Sequence, residues 1–144
     1  MKSKMHKTTA SLQAVAFELP DLIAAAQVDI DSIAHRMEVL KRAGLVYASP
    51  FWRKDAAGVE RYLYLLHPQI PGVKRRRDYV GCDPERIQEA NAGIERAKEY
   101  EELKKQLQVH TTCIAHAHDG LANAVRYLKR PIPREVSHGR SRVF

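Results

Sequence analysis

The sequence predicts an α+β, mainly helical fold, and three observations carry that expectation. Ile30, Ile33, Met37 and Leu40 recur at helical spacing, with Asp29 as an N-cap type of residue before them and Gly44 as a stop signal after them. Residues 59–66 alternate with the two-residue period of a strand, Val59, Arg61, Leu63 and Leu65 against Glu60, Tyr62, Tyr64 and Leu66. Asp83, Pro84 and Glu85 then supply an N-cap, a first helical position and a first-turn acid, in that order, at the head of a long helical segment.

In chain order, residues 1–7 read as a basic, frayed arm, and Thr8, Thr9 and Ser11 offer caps for a first helix that ends near Pro20. Its apolar positions, Leu12, Val15, Ala16 and Leu19, fall at helical spacing, and Gln13 and Glu18 interrupt them. The segment is therefore an amphipathic helix and not a signal peptide or a membrane span. Pro20 and Asp21 open a short helical turn over Leu22, Ile23 and Ala26. Only Gln27 and Val28 connect it to the helix after Asp29, and two helices joined so tightly cross steeply, as in a helix-turn-helix. A hairpin follows, from Leu45–Ala48 through a polar tip at 53–58 to 59–66. Phe51 and Trp52, beside Arg53 and Lys54, fit either a nucleic-acid contact or core packing at the strand edge.

The loop "HPQIPG" delivers the chain into "VKRRRDYVG", an extended segment expected to pair back on residues 62–66 and complete a three-stranded wing. Alternation sends Lys74 and Arg76 to one side and Arg75 and Arg77 to the other. The four cations beside the wing favour phosphate contact over the alternative of a charged edge strand guarded against aggregation. In the C-terminal helix Ile87, Ala90, Ile94 and Ala97 form a first stripe. After a phase shift Tyr100, Leu103, Leu107, His110, Ile114, Ala117, Leu121, Ala124 and Leu128 continue in steps of three and four. This is the seam of a coiled coil or helical hairpin, either one continuous helix or one broken at Asp119 and Gly120, the natural break. Pairing through Tyr100, Leu103, Leu107, Ile114, Leu121 and Leu128 predicts a homodimer. The expected organisation is a winged helix-turn-helix domain over 1–82, a helical dimerisation region over 83–130, and a basic flexible tail over 131–144.

The stretch "VDIDSIAHRMEVLKRAGLVYAS" resembles the bacterial winged-helix regulators of the MarR, ArsR and PadR families, over about residues 21–66. The resemblance implies a DNA-binding protein whose second helix enters the major groove while the wing touches the backbone. By position it places Asp31, Ser32, His35, Glu38 and Arg42 at the groove. Asp31 and Glu38 depart from it, since carboxylates there face phosphates, although an acid can still accept a hydrogen bond from cytosine.

The 144 residues suffice for one domain with a modest core plus an extension. A formal charge of +7 favours a polyanionic partner. Residues 1–83 hold 13 Lys/Arg against 9 Asp/Glu and residues 84–144 hold 11 against 8, so local clusters, and not one half, carry the excess. Two distant cysteines, Cys82 and Cys113, announce no disulfide framework and suit a reducing cytoplasm. Cys113 with His110 and His116 forms a weak metal candidate that would need a second subunit to reach four ligands. No glycine-rich phosphate loop, nucleophile elbow or Cys-x-x-Cys pair is present, so neither catalysis nor a cofactor is implied. The sequence thus reads as a dimeric binder of double-stranded DNA, a transcription regulator or a DNA-organising accessory of a mobile element. Arg53, Lys54, Lys74, Arg75, Arg76 and Arg77 would sit on phosphates, and Ser32, His35 and Arg42 in the groove. The competing class is a non-enzymatic coiled-coil adaptor that uses the winged helix for protein contact.

Overall fold

The computed structural model describes residues 6–130. Two helices flank a small antiparallel sheet, in the order α1 (Lys7–Ala43), β1 (Ser49–Lys54), β2 (Glu60–Leu66), β3 (Arg77–Gly81) and α2 (Pro84–Lys129). The chain divides into two compact units, Met1–Gln108 and Val109–Phe144. The basic arm over residues 1–5 and the tail over 131–144 lie outside the described residues.

The expected helix-turn-helix is replaced by one helix. α1 runs unbroken from Lys7 to Ala43 with Pro20 inside it, so there is no turn at Gln27–Val28 and Asp29 is not a cap. The physical reason is legible in the phase. Leu19, Ile23, Ala26, Ile30, Ile33, Met37 and Leu40 follow one another in alternating steps of four and three, straight through both expected breaks. Ala24, Ala25, Ala26 and Gln27 are good helix formers, and no glycine is present to turn the chain. Gln27 donates from Nε2 to Asp31 Oδ1 at 2.8 Å, the i,i+4 bond of a helix surface. Proline in a helix interior removes one backbone donor, and the long run on either side tolerates the loss. The N-cap is His6, whose Nδ1 accepts from the Thr8 amide at 3.2 Å, in place of the expected Thr8, Thr9 or Ser11.

The expected stop holds. Gly44 closes α1 with φ +107°, its amide donating to the Leu40 and Lys41 carbonyls at 3.1 and 3.3 Å. Arg96 on α2 donates from Nε to the Gly44 carbonyl at 2.7 Å and pairs with Glu89 at 2.7 Å, which ties the end of α1 to α2. Arg36 adds a second tie, a two-pronged pair with Glu99 at 2.6 and 3.1 Å.

Residues 45–48, expected as strand, are the link into β1, which begins at Ser49. Consequently Phe51, Trp52, Arg53 and Lys54 are strand residues and not a tip. The tip is 55–59. Asp55 Oδ1 accepts from the Ala57 and Val59 amides at 2.9 and 3.0 Å, and Gly58 takes φ +80°. The sheet order is β1-β2-β3, all antiparallel, as the return of the "RDYVG" segment predicts. Its inner face carries the core: Leu63, Leu65 and Val80 with Ile94 of α2, and Val46, Ala48, Trp52, Ile87 and Ala90 packed around them. α2 comes so close that a Cβ on Gly93 would meet Val46 Cγ2 at 2.5 Å, while the Val46 amide donates to the Gly93 carbonyl at 3.1 Å.

Asp83 caps α2 as expected, accepting from the Glu85 amide at 3.1 Å. Its first stripe, Ile87, Ala90, Ile94 and Ala97, is the face turned to the core. Of the two courses open at Asp119–Gly120, α2 takes the continuous one, running unbroken from Pro84 to Lys129. Gly120 lies in open space among helix-forming neighbours, where one glycine costs only about 1 kcal/mol. No helix among the described residues is long and apolar enough to cross a membrane.

Candidate nucleic-acid interface

Alternation along β2 sorts its side chains. Leu63 and Leu65 go to the core, and Tyr62 and Tyr64 go to the opposite face. The register carries the sorting to the neighbours: Phe51 lies opposite Tyr64, Tyr64 opposite Tyr79, Arg53 opposite Tyr62 and Arg77 opposite Leu66. Phe51, Tyr64 and Tyr79 therefore form one row across all three strands. Arg53 stands on one side of the row and Arg77 on the other. Phe51 is 45% exposed and Tyr79 55%, a large apolar surface left facing water.

The Tyr64 and Tyr79 ring centroids are 5.0 Å apart with planes inclined at 53°, a tilted contact in which Tyr64 is half-buried while Tyr79 keeps much of its ring exposed. Three shallow depressions adjoin along this face. Arg53, Lys54, Tyr62, Tyr64 and Tyr79 line the first, Phe51, Arg53, Tyr64 and Arg77 the second, and Lys74, Arg75 and Arg77 the third. Arg53 belongs to the first two and Arg77 to the last two, which joins them into one track.

The charges around the track are unevenly compensated. Among the described residues Arg53, Lys54, Lys74 and Arg77 form no ion pair, although Glu60 is the cross-strand neighbour of Lys54. Arg75 donates from Nε to the His67 carbonyl at 2.9 Å, which fixes its stem and leaves its charge uncompensated. Arg76 differs, pairing with Asp78 at 3.0 Å. Asp78 also meets His67 Nε2 at 2.8 Å, and these two hydrogen bonds hold its carboxyl below the usual range.

The expected alternation of the basic run is corrected here. Only Arg77 is a strand residue; 74–76 are irregular backbone, so Lys74 and Arg75 share a depression with Arg77 instead of facing apart. Of the aromatic pair, Trp52 packs on the core side and Phe51 is the exposed one. Ser32, His35 and Arg42 stand on the exposed surface of α1, where Arg42 pairs with Glu38 at 3.1 Å, and none lines these depressions. Tyr62, Tyr64 and Tyr79 went unnoticed as site residues, though the Tyr-Leu-Tyr-Leu alternation already placed two of them off the core. No group of three or more His, Cys, Asp or Glu side chains that could hold a metal ion occurs among the described residues; Cys113 and His116 are exposed and His110 half-buried.

Of the expected seam, Tyr100, Leu103 and Leu107 are half-buried within the first unit. Ile114, Leu121 and Leu128, in the second, are 41%, 37% and 71% exposed. No protein-family model, no curated protein and no solved structure matches the chain.

Proposed function

We propose that this chain is a non-enzymatic nucleic-acid-binding protein that holds the phosphate backbone along the outer face of its sheet. The observation that carries the reading is the track itself: Arg53, Lys54, Lys74 and Arg77, without ion pairs among the described residues, bordering an aromatic row in which Phe51 and Tyr79 are exposed and Tyr64 is half-buried. A net charge of +7 favours the same partner at longer range. The three-stranded sheet takes the part expected of the wing. The uninterrupted α1 removes the basis for a recognition helix, so the contact rests on the sheet and on 74–77. Regulation of transcription, or organisation of DNA for a mobile element, is the role this binding would serve. The exposed Ile114, Leu121 and Leu128 support association of two copies through α2.

The test is fluorescence anisotropy with labelled DNA, single-stranded and duplex, across a range of salt. Neutralising three cations in a Lys74→Gln, Arg75→Gln, Arg77→Gln variant should flatten the log–log salt dependence by roughly 2 to 3 units. Absence of binding to either form near 150 mM salt would favour the adaptor reading, in which the chain meets a protein and not a nucleic acid. Sedimentation of the free protein reads the dimer separately.

A further inference from the structure

Resting on that reading, we infer that the strand bound on the sheet is unpaired, and that its bases stack on the row formed by Phe51, Tyr64 and Tyr79. In a duplex the base faces are already covered by their neighbours, so the exposed Phe51 and Tyr79 rings have nothing to stack against. An unpaired strand offers those faces freely. With strands about 4.8 Å apart, the row spans roughly 10 Å of sheet, room for successive splayed bases. Tyr64 and Tyr79 touch, yet Tyr79 and Phe51 both keep about half of their surface exposed, which leaves ring area for a base. Arg53 and Arg77 flank the row, placed to neutralise the backbone on either side of the stacked bases. Charge and ring thus select together: cations alone would accept any polyanion, and rings alone any apolar partner.

Because every base has a π-face, this recognition is tolerant of sequence and specific for unpaired nucleic acid. Three probes of equal length separate the contributions: oligo(dT) of about 15 nucleotides, a blunt duplex, and an abasic deoxyribose-phosphate strand. The expected result is that oligo(dT) binds at least roughly tenfold tighter than either of the others. Phe51→Ala and Tyr79→Ala should each cost about tenfold on oligo(dT), with little change on the duplex or the abasic strand. Phe51→Trp should retain binding, and Phe51→Leu, apolar but without a π-face, should not. Thermal melts of each variant confirm that it is folded. Equal affinity of the wild type for duplex and oligo(dT), or alanine variants that bind oligo(dT) normally, would overturn the stacking inference and leave the proposed nucleic-acid function standing. Failure of all three probes to bind would overturn both and leave the face to a protein partner.

Discussion

Tyr64 and Leu63 are adjacent in β2 and face opposite sides of the sheet: Leu63 is wholly buried against the core, while Tyr64 lies half-buried in the aromatic row between the exposed Phe51 and Tyr79. That single alternation divides the sheet into a structural face and a binding face, and the two should respond differently to truncation. Leu63→Ala should cost about 2 to 5 kcal/mol in denaturant unfolding. Tyr79→Ala on the other face removes only an exposed ring and its contact with Tyr64, and should cost about 1 kcal/mol. Comparable losses at both positions would mean that the outer face is packed.

Gly93 and Val46 make a second coupled pair. Gly93→Ala forces a Cβ to 2.5 Å from Val46 Cγ2 and should destabilise the fold by roughly 1 to 3 kcal/mol. Val46→Ala removes the opposing methyl group, so the double variant should be less destabilised than the sum of the singles. Additive losses in a double-mutant cycle would contradict the close approach of α2 to the 45–48 link.

The continuity of α1 has its own consequence. If Pro20 lies within one helix, Pro20→Ala restores a backbone bond and should raise helical circular dichroism and stability, by up to about 3 kcal/mol. A helix that ended at Pro20 would gain nothing from the change.

Acid should loosen the molecule at two surface pairs. Arg36 holds the Glu99 carboxyl below its ordinary range, and His67 with Arg76 does the same for Asp78. A carboxyl depressed in the folded state binds its proton more readily when unfolded. Its stabilising contribution is therefore present at neutral pH and is lost as pH falls through the lowered folded value. Both pairs are solvent-exposed, so the effect is modest. The Glu99→Gln variant should melt below the wild type at pH 7 and converge with it once acid has protonated Glu99 in the folded wild type, which melting curves at several pH values would show. Tyr47 behaves differently: partial desolvation and its hydrogen bond to Glu101 push its hydroxyl up to about 12, so it stays protonated throughout that range.

β1 was expected over 45–48 and lies at Ser49–Lys54, whereas β2, the return of β3 and the start of α2 were legible in the sequence because their signals are local, the Leu63–Leu65 period and the Asp83–Pro84 cap among them. The helix-turn-helix was not, because cap residues such as Asp21 and Asp29 also sit comfortably on an exposed helix surface. The unbroken phase of the apolar positions was the stronger evidence. Cations were found by composition, but their arrangement was not, since a run such as 74–77 shares one depression only if the backbone is irregular. The aromatic row depends on register between three strands, which no single segment encodes. Phe51 could be assigned to the outer face only once its partner was known to be Tyr64 and not Leu63.

The most direct test is ultraviolet cross-linking of bound oligo(dT) followed by mass-spectrometric mapping of the modified peptides. Stacking on the sheet predicts adducts at Phe51, Tyr64 or Tyr79. Adducts confined to α1 or α2, with the oligonucleotide demonstrably bound, would contradict it.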